Sequence, residues 1–330
     1  MRAAWYERNG PASEVLQVGE MPTPEPGPGE VRVKVAWSGV HPTDVKRRAG
    51  WRGQRPGFPR IVPHQDGSGI IDSVGAGVPA SRVGERVWLF DAQSGRAFGT
   101  AAEYVALPAS RAVALPDGVP LLAGACAGVG IRTGHRAVFA DGPVAGKTIL
   151  VHGGAGAVGH YAVQLAKWGG ARVISTAGTP EKVAAVRAAG ADVAIDYRKE
   201  DVAERVLAET GGAGVDRIVE VAFGANLPIT LKVLKEFGII CSYASDADPD
   251  PVLPYYPLQA RNIVIRLIVL YAVPEDYRAP MEHDIAAWLA GGGATHPIAA
   301  TFGLAETAQA HMLRESGKAT GNIVVEVAGG

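Results

Sequence analysis

The rhythm of apolar and polar positions changes twice along this chain. In EVRVKVAWSGV, residues Val31 to Val35 alternate apolar with polar, the period of a half-buried strand. The preceding MPTPEPGPGE is excluded from regular structure, because its prolines lack donors and its glycines add freedom. GSGIIDSVGAGV and GERVWLF read as further short strands bounded by glycine, and TAAEYVALPASRAVALP supplies two more. Short strands at such close spacing predict a compact, barrel-like unit.

Near Leu121 the texture changes, and LLAGACAGVGIRTGHRAVF is small, apolar and helical in character. From Thr148 onward, apolar strands (TILVHG, ARVISTAG, ADVAIDY, VDRIVEVA, IICSYA) alternate with helical stretches (AVGHYAVQLAKWG, PEKVAAVRAAG, EDVAERVLAETGG). Continuous apolar strands joined by helical crossovers imply a parallel, doubly wound sheet. After RNIVIRLIVLY come a helix over roughly Pro280 to Ala290, a strand in HPIAATFGL, a helix in AETAQAHMLRESG and a last strand in GNIVVEV. These closing elements are too few for a core of their own and are expected to pack back on the N-terminal unit. The expected organisation is a discontinuous β domain, 1–120 with 268–330, around a doubly wound domain, 121–267.

Composition adds limits. The chain has 330 residues, 47% hydrophobic and 20% charged, with a net charge of −1. That suits a globular protein of about two domains. Basic residues concentrate only at Lys46-Arg47-Arg48, with Arg52 and Arg55 near by, read as a solvated loop face. No broad basic stripe interleaved with aromatics speaks for nucleic acid. The start, MRAAWYERNG, lacks the apolar core of a signal peptide, and Arg266 interrupts the most apolar run, NIVIRLIVLYAV, so no membrane span is expected. Two distant cysteines, Cys126 and Cys241, suggest neither a disulfide framework nor a four-cysteine metal site. A reducing, cytoplasmic setting follows as the expectation.

The chemistry concentrates in LVHGGAGAVGHYAVQLAK. Gly154-x-Gly156-x-x-Gly159 follows a strand and opens a helix, the context a dinucleotide fingerprint requires. Glycine lets the backbone approach a pyrophosphate, and the helix expected from about Ala157 offers N–H groups and a positive dipole end. The candidate cradle comprises Gly153, Ala155, Gly156, Ala157, Val158 and Gly159. NAD sites commonly place a carboxylate at the end of the second strand, for the ribose 2′-hydroxyl. Here Thr176, Ala177 and Gly178 carry no charge, while Lys182 lies a helical turn on and Arg198 follows Tyr197. A neutral strand end near cations suits a 2′-phosphate, so NADPH is the expected cofactor; a solvated Lys182 is the bland alternative.

The segments GEVRVKVAWSGVHPTDVKRRAG, HQDGSGIIDSVGAGV, GERVW, VHGGAGAVGHYAVQLAKWGGARVISTAGTPEK and GADVAIDYR together resemble the medium-chain dehydrogenase/reductase superfamily. Within it they resemble the zinc-independent quinone oxidoreductases, the zeta-crystallin-like group, over nearly the whole chain. The resemblance implies a GroES-like β-barrel catalytic domain, a Rossmann domain, a substrate site in a cleft between them, and a homodimer or homotetramer paired through the Rossmann sheet edge. Zinc-dependent relatives take ligands from positions matching Ser38, His64 and Val129; only the histidine is present, so no metal is expected.

Without a Lewis acid the acceptor must already be electrophilic, as a quinone or an α,β-unsaturated carbonyl is. The resemblance places His41, Asp44, Lys46 and Trp51 near the substrate, where the family usually has asparagine for His41 and often tyrosine for Lys46. His41 reads equally as a proton donor or as a loop histidine holding backbone groups. Asp44 reads chiefly as structural, orienting Lys46 or the loop, and Trp51 as a substrate cover or as packing. Thr133, Tyr243 and Asn322 match positions at the cofactor. The expected activity is NADPH-dependent hydride transfer to a quinone or similar conjugated carbonyl. The alternatives are an enone, enal or enoyl-thioester reductase and a weakly catalytic nucleotide-binding protein.

Overall fold

The structure is a computed structural model and describes residues 1–327. The described chain divides into two compact units, residues 1–129 with 282–327 and residues 130–281. These limits lie beyond the expected 120 and 267.

The first unit begins with the ribbon β1 (Arg2–Trp5) and β2 (Gln17–Glu20), with the short helix α1 (Ala12–Val15) between them. Then come β3 (Glu30–Val40), the helix α2 (Pro42–Ala49), β4 (Asp66–Val74), β5 (Arg86–Leu89), β6 (Tyr104–Pro108), β7 (Ala112–Ala114) and the helix α3 (Leu121–Gly124). The long β3 is the hub. It pairs antiparallel with β4 and β6, and Val31, Val33 and Val35 point into one apolar cluster with Ile71, Val87, Leu89, Val105 and Leu107. The alternation in the sequence is this face.

The segment expected to be a loop, from His41 to Trp51, is largely the helix α2. Its signals are local. His41 is extended at the N-cap, Pro42 fits the first turn with φ preset, Asp44 accepts the His41 backbone N–H at 2.7 Å, and Gly50 ends the helix at φ 80°. Lys46, Arg47 and Arg48 fall in its last turn, where cations oppose the negative dipole end. The basic run is therefore a helix end, and Arg48 is buried rather than solvated.

The second unit holds α4 (Arg132–Phe139), β8 (Thr148–Val151), α5 (Gly159–Trp168), β9 (Arg172–Ala177), α6 (Pro180–Ala188), β10 (Val193–Asp196), α7 (Val202–Glu209), β11 (Val215–Glu220), α8 (Phe223–Val233), β12 (Leu234–Ser242), α9 (Tyr255–Ala260) and β13 (Val264–Leu267). All six strands are parallel, in the order β10-β9-β8-β11-β12-β13, the reversal beside β8 being that of a doubly wound sheet. Apolar clusters cover both faces, one built on Ile149, Val151 and Val173, the other on Leu150, Ile174 and Ile218. Strands buried on both faces explain the unbroken apolar runs. The crossovers α8 and α9 were not read from the sequence, Pro228 lying inside α8.

The helix expected over 280–290 is α10 (Glu275–Ala290), which begins earlier and carries Pro280 internally. β14 (Ile298–Gly303), α11 (Thr307–Glu315) and β15 (Asn322–Glu326) then return to the first unit. β15 pairs antiparallel with β3, giving the seven-stranded sheet β14-β15-β3-β4-β5-β7 with β6 also on β3.

Candidate functional site

The glycine loop lies between β8 and α5, and α5 starts at Gly159, later than the expected Ala157. Gly153 has φ 66°, a left-handed turn that glycine makes without cost. A Cβ on Gly159 would stand 2.3 Å from the Gly153 carbonyl oxygen, and one on Gly154 would stand 2.1 Å from Ser175 Oγ. Each glycine thus permits a close approach, of helix to turn and of turn to β9. The loop is tied down by Thr176. Its hydroxyl accepts from Gly153 N–H at 3.1 Å and its carbonyl accepts from Gly154 N–H at 3.0 Å. Thr176 therefore spends its hydroxyl on the loop, while Ala155 is buried and Gly156, Ala157 and Val158 reach the surface to differing degrees.

Beyond β9, Ala177 and Gly178 are buried and uncharged, and the Tyr197 hydroxyl would lie 2.4 Å from a Cβ on Gly178. Tyr197 thus occupies the place a side chain at 178 would take. Lys182 is half-buried in the first turn of α6, whose N-cap Thr179 accepts its backbone N–H at 3.3 Å. Thr133 is buried in α4. Tyr243 follows β12 and lines a cavity of about 420 Å³ with Phe223, Ser242, Leu267 and Ile268. That cavity lies at the C-terminal ends of β12 and β13, the side where open parallel sheets take ligands. Burial, with the Glu220 charge, holds the Tyr243 phenol well above its ordinary range.

Sequence reasoning missed a buried pair beside this loop. His152 follows β8 and its Nε2 lies 3.6 Å from Oε2 of Glu220, at the end of β11. Burial depresses the imidazole's pKa, and the carboxylate only partly restores it. Glu220 Oε1 accepts from Asn226 Nδ2 at 2.9 Å and from the Ala222 N–H, fixing the turn into α8.

In the first unit, His41 and Asp44 are both buried. His41 Nε2 lies 2.6 Å from Asp66 Oδ2, an ion pair when the imidazole is charged. Asp66 Oδ2 also accepts the Val129 N–H at 2.5 Å. Burial opposes charge on His41, but Asp66 and then Asp44 outweigh it, and its pKa is raised. Burial pushes Asp44 up to about 6 against the pull of His41. Asp66, the carboxylate that raises the His41 pKa, was not singled out in the sequence; nothing in its spacing to His41 marks it. Lys46 and Arg52 stand over the Trp51 ring at 4.9 and 4.5 Å, so Trp51 packs between cations and is not an isolated cover. Asn322 lies in the first unit, buried in β15, with Nδ2 donating to the Pro297 carbonyl at 3.2 Å.

The positions that would carry a catalytic zinc hold a different arrangement. Ser38 Oγ is 2.7 Å from His64 Nδ1 and 2.7 Å from Thr100 Oγ1, and His64 Nε2 is 2.9 Å from His311 Nε2. Thr100 donates to the Asp66 carbonyl. That fixes every proton in turn: Ser38 donates to Thr100, His64 Nδ1–H to Ser38, and His311 Nε2–H to His64. Burial keeps both rings neutral, with His311 pushed down to about 3. Both nitrogens of His64 are therefore occupied, Ser38 offers a hydroxyl instead of a thiolate, and Val129 offers no side-chain donor. Among the described residues no group of three or more His, Cys, Asp or Glu is placed to hold a metal. The residues present do not fit a catalytic zinc.

Comparison with known proteins accords with this geometry. Residues 27–117 match the alcohol dehydrogenase GroES-like domain and residues 157–287 match the zinc-binding dehydrogenase domain. A quinone oxidoreductase of Rattus norvegicus is 29% identical over 95% of this chain and 94% of its own. One of Pseudomonas aeruginosa is 30% identical over 94% of this chain and 95% of its own. A mycobacterial structure complexed with NADPH superimposes with a TM-score of 0.86 at 28% identity, covering 99% of this chain and 100% of that one. With a barrel hub on β3, a doubly wound sheet and a tethered glycine loop, the chain belongs to the medium-chain dehydrogenase/reductase superfamily, in its quinone oxidoreductase group.

Proposed function

We propose that this protein is an NADPH-dependent oxidoreductase that reduces a quinone or a similarly conjugated carbonyl without a catalytic metal. The observation that carries the reading is the closed Ser38–His64–His311 chain where a zinc-dependent relative needs ligands. With no Lewis acid to polarise it, the acceptor must be electrophilic on its own. The quinone oxidoreductase relatives and the NADPH-complexed neighbour support the same conclusion.

NADPH, when bound, supplies the hydride. The turn Gly153–Gly159 and the first turn of α5 would hold its pyrophosphate, the free N–H groups at a helix start suiting an anion. Thr176 holds that turn in place, and the uncharged Ala177–Gly178 edge with Lys182 receives the 2′-phosphate. Tyr243, Thr133 and Asn322 are the remaining candidates for cofactor contact. His41, whose pKa Asp66 raises against the effect of burial, is the candidate to hold a proton for the oxygen or carbon that becomes basic on reduction. Asp44 positions His41 through its backbone N–H, and Lys46 and Trp51 border the acceptor. The proton on His41 also suits the second reading, double-bond reduction of an enone, enal or enoyl thioester.

Among the described residues no helix is long and apolar enough to cross a membrane; a cytoplasmic setting belongs to the proposal. So does a homodimer or homotetramer. β13 is the outer strand of its sheet and exposes Val264 and Leu267, with Val269 exposed just beyond it, an edge suited to pairing with a second copy.

The test is oxidation of NADPH against a simple quinone and an acyclic enone, with NADH as control and a chelator present. Quinone turnover that prefers NADPH and ignores the chelator is expected. Enone turnover alone would select the second reading, and chelator loss restored by zinc would overturn the metal-free one. Binding without turnover of either acceptor would leave a nucleotide-binding protein.

A further inference from the structure

Three buried side chains stand in one row across the middle of the parallel sheet. The register pairs Val151 of β8 with Ser175 of β9 and with Val219 of β11. The next residue of each segment is Thr176, His152 and Glu220 in turn, so the three lie side by side at the C-terminal ends of these strands. The His152 backbone N–H donates to the Val219 carbonyl at 3.0 Å, which fixes the ring beside β11. Glu220 is anchored at the far end of the row, one carboxylate oxygen accepting from Asn226 and from the Ala222 N–H. Thr176 is at the near end, its Oγ1 accepting the Gly153 N–H at 3.1 Å and lying 3.4 Å from His152 Nδ1.

The protons along the row follow from these contacts. His152 Nε2 and Glu220 Oε2 are buried and hydrogen-bond no other described group; they face each other across 3.6 Å, beyond a full hydrogen bond. A carboxylate only accepts, so the imidazole proton belongs on Nε2. Burial disfavours a second proton on the ring. Nδ1 is therefore bare and accepts, and Thr176 donates its hydroxyl proton to it. With that proton committed, the Thr176 oxygen stays turned toward Gly153, whose φ of 66° makes the left-handed turn of the glycine loop. An apolar residue at 152 would avoid the cost of burying this row, so the row calls for a use.

We propose that His152 is a positioning residue for the cofactor. Its tautomer is set by Glu220, and by taking the Thr176 proton it holds the Gly153 turn in the shape that receives the pyrophosphate of NADPH. The inference rests on the NADPH-dependent reading above and assigns to that site two residues, His152 and Glu220, that act through Thr176.

The test begins with the full chain free of nucleotide. Nitrogen NMR of the wild-type His152 ring is expected to show the Nε2–H tautomer, and an Nδ1–H ring would overturn the proposal. Hydrogen exchange of the Gly153 amide is then compared in wild type, His152→Leu, His152→Asn and Thr176→Val. His152→Leu and Thr176→Val are expected to speed exchange about fivefold, the worth of one hydrogen bond. His152→Asn, whose amide oxygen stands where Nδ1 stood, is expected to stay within about twofold of wild type. Asparagine no better than leucine would mean that the ring only packs, and would overturn the proposal.

Fluorescence titration with NADPH is expected to follow the same order. The double variant His152→Leu, Thr176→Val should lose no more affinity than Thr176→Val alone, because both act through one hydroxyl. Additive losses would overturn the link through Thr176. Wild type that binds NADPH as tightly as His152→Leu does would overturn the positioning role and leave the reductase reading intact. Wild type that binds neither NADPH nor NADH would instead sink the reductase reading, and the cofactor role of His152 with it.

Discussion

His64 and His311, 247 residues apart, face each other through their Nε2 atoms at 2.9 Å with ring centroids 5.1 Å apart. Burial disfavours charge on both rings, and a second proton on His64 would set its Nε2–H against that of His311. His64 also sits at φ 80°, a backbone state uncommon outside glycine, held by its bonds to Ser38 and His311. The pair closes the hydrogen-bond chain over α11 and the β3–β4 region.

The acid stability of the protein follows from this pair. His311 is held down to about 3, below its ordinary 6.5, so the unfolded chain binds a proton that the folded chain refuses. Stability is complete above 6.5 and falls as the pH drops toward 3. His311→Gln keeps a donor to His64 but cannot titrate, and flattens this acid limb. His311→Phe leaves His64 Nε2 unpaired and costs about 1–3 kcal/mol at pH 7. Urea midpoints measured from pH 7 to pH 4 distinguish the three proteins.

The His41 imidazole depends on Asp66. Asp66→Asn removes the carboxylate at 2.6 Å, and the raised His41 pKa falls. The sign on stability is opposite to that of His311. A raised pKa stabilises fully below the unfolded value, and the benefit is lost as pH rises through the folded one. Breaking a buried pair by neutralising one side costs about 3 kcal/mol where the histidine is charged. An NMR titration of His41 in wild type and variant reads the shift. An unchanged titration would remove Asp66 from its role.

Gly159→Ala puts a Cβ 2.3 Å from one backbone oxygen and 2.9 Å from Gly154 Cα, atoms no side-chain rotation can move. The helix must retreat from the turn. NADPH affinity is expected to fall by at least about tenfold, or about 1.4 kcal/mol, with a lowered melting temperature. Gly156→Ala meets only the Gly153 oxygen at 3.3 Å and is expected to fold normally. Fluorescence titration of NADPH compares the two.

Lys182→Glu tests the choice of cofactor. A reversed charge beside the uncharged Ala177–Gly178 edge is expected to weaken NADPH about tenfold or more relative to NADH, since only NADPH carries the 2′-phosphate. Dissociation constants for both nucleotides settle it, and equal weakening would take Lys182 out of the site.

Much of this protein was determined by the order of residues alone. Alternation along β3, unbroken apolar strands from β8 to β12, and glycines between β8 and α5 are local patterns, and local patterns follow from backbone geometry. The absence of two of three zinc ligands could be read in the same way, as residue identity at Ser38 and Val129. The helix α2 was also legible, through Pro42, Asp44 and Gly50, whose capping signals are local. What only the tertiary structure decided is which distant groups meet. Asp66 faces His41, His311 closes on His64, Glu220 faces His152, and Gln93 accepts from Arg47. Each pair joins elements far apart in sequence, and in buried surroundings the partner sets the protonation state of a side chain more than its identity does.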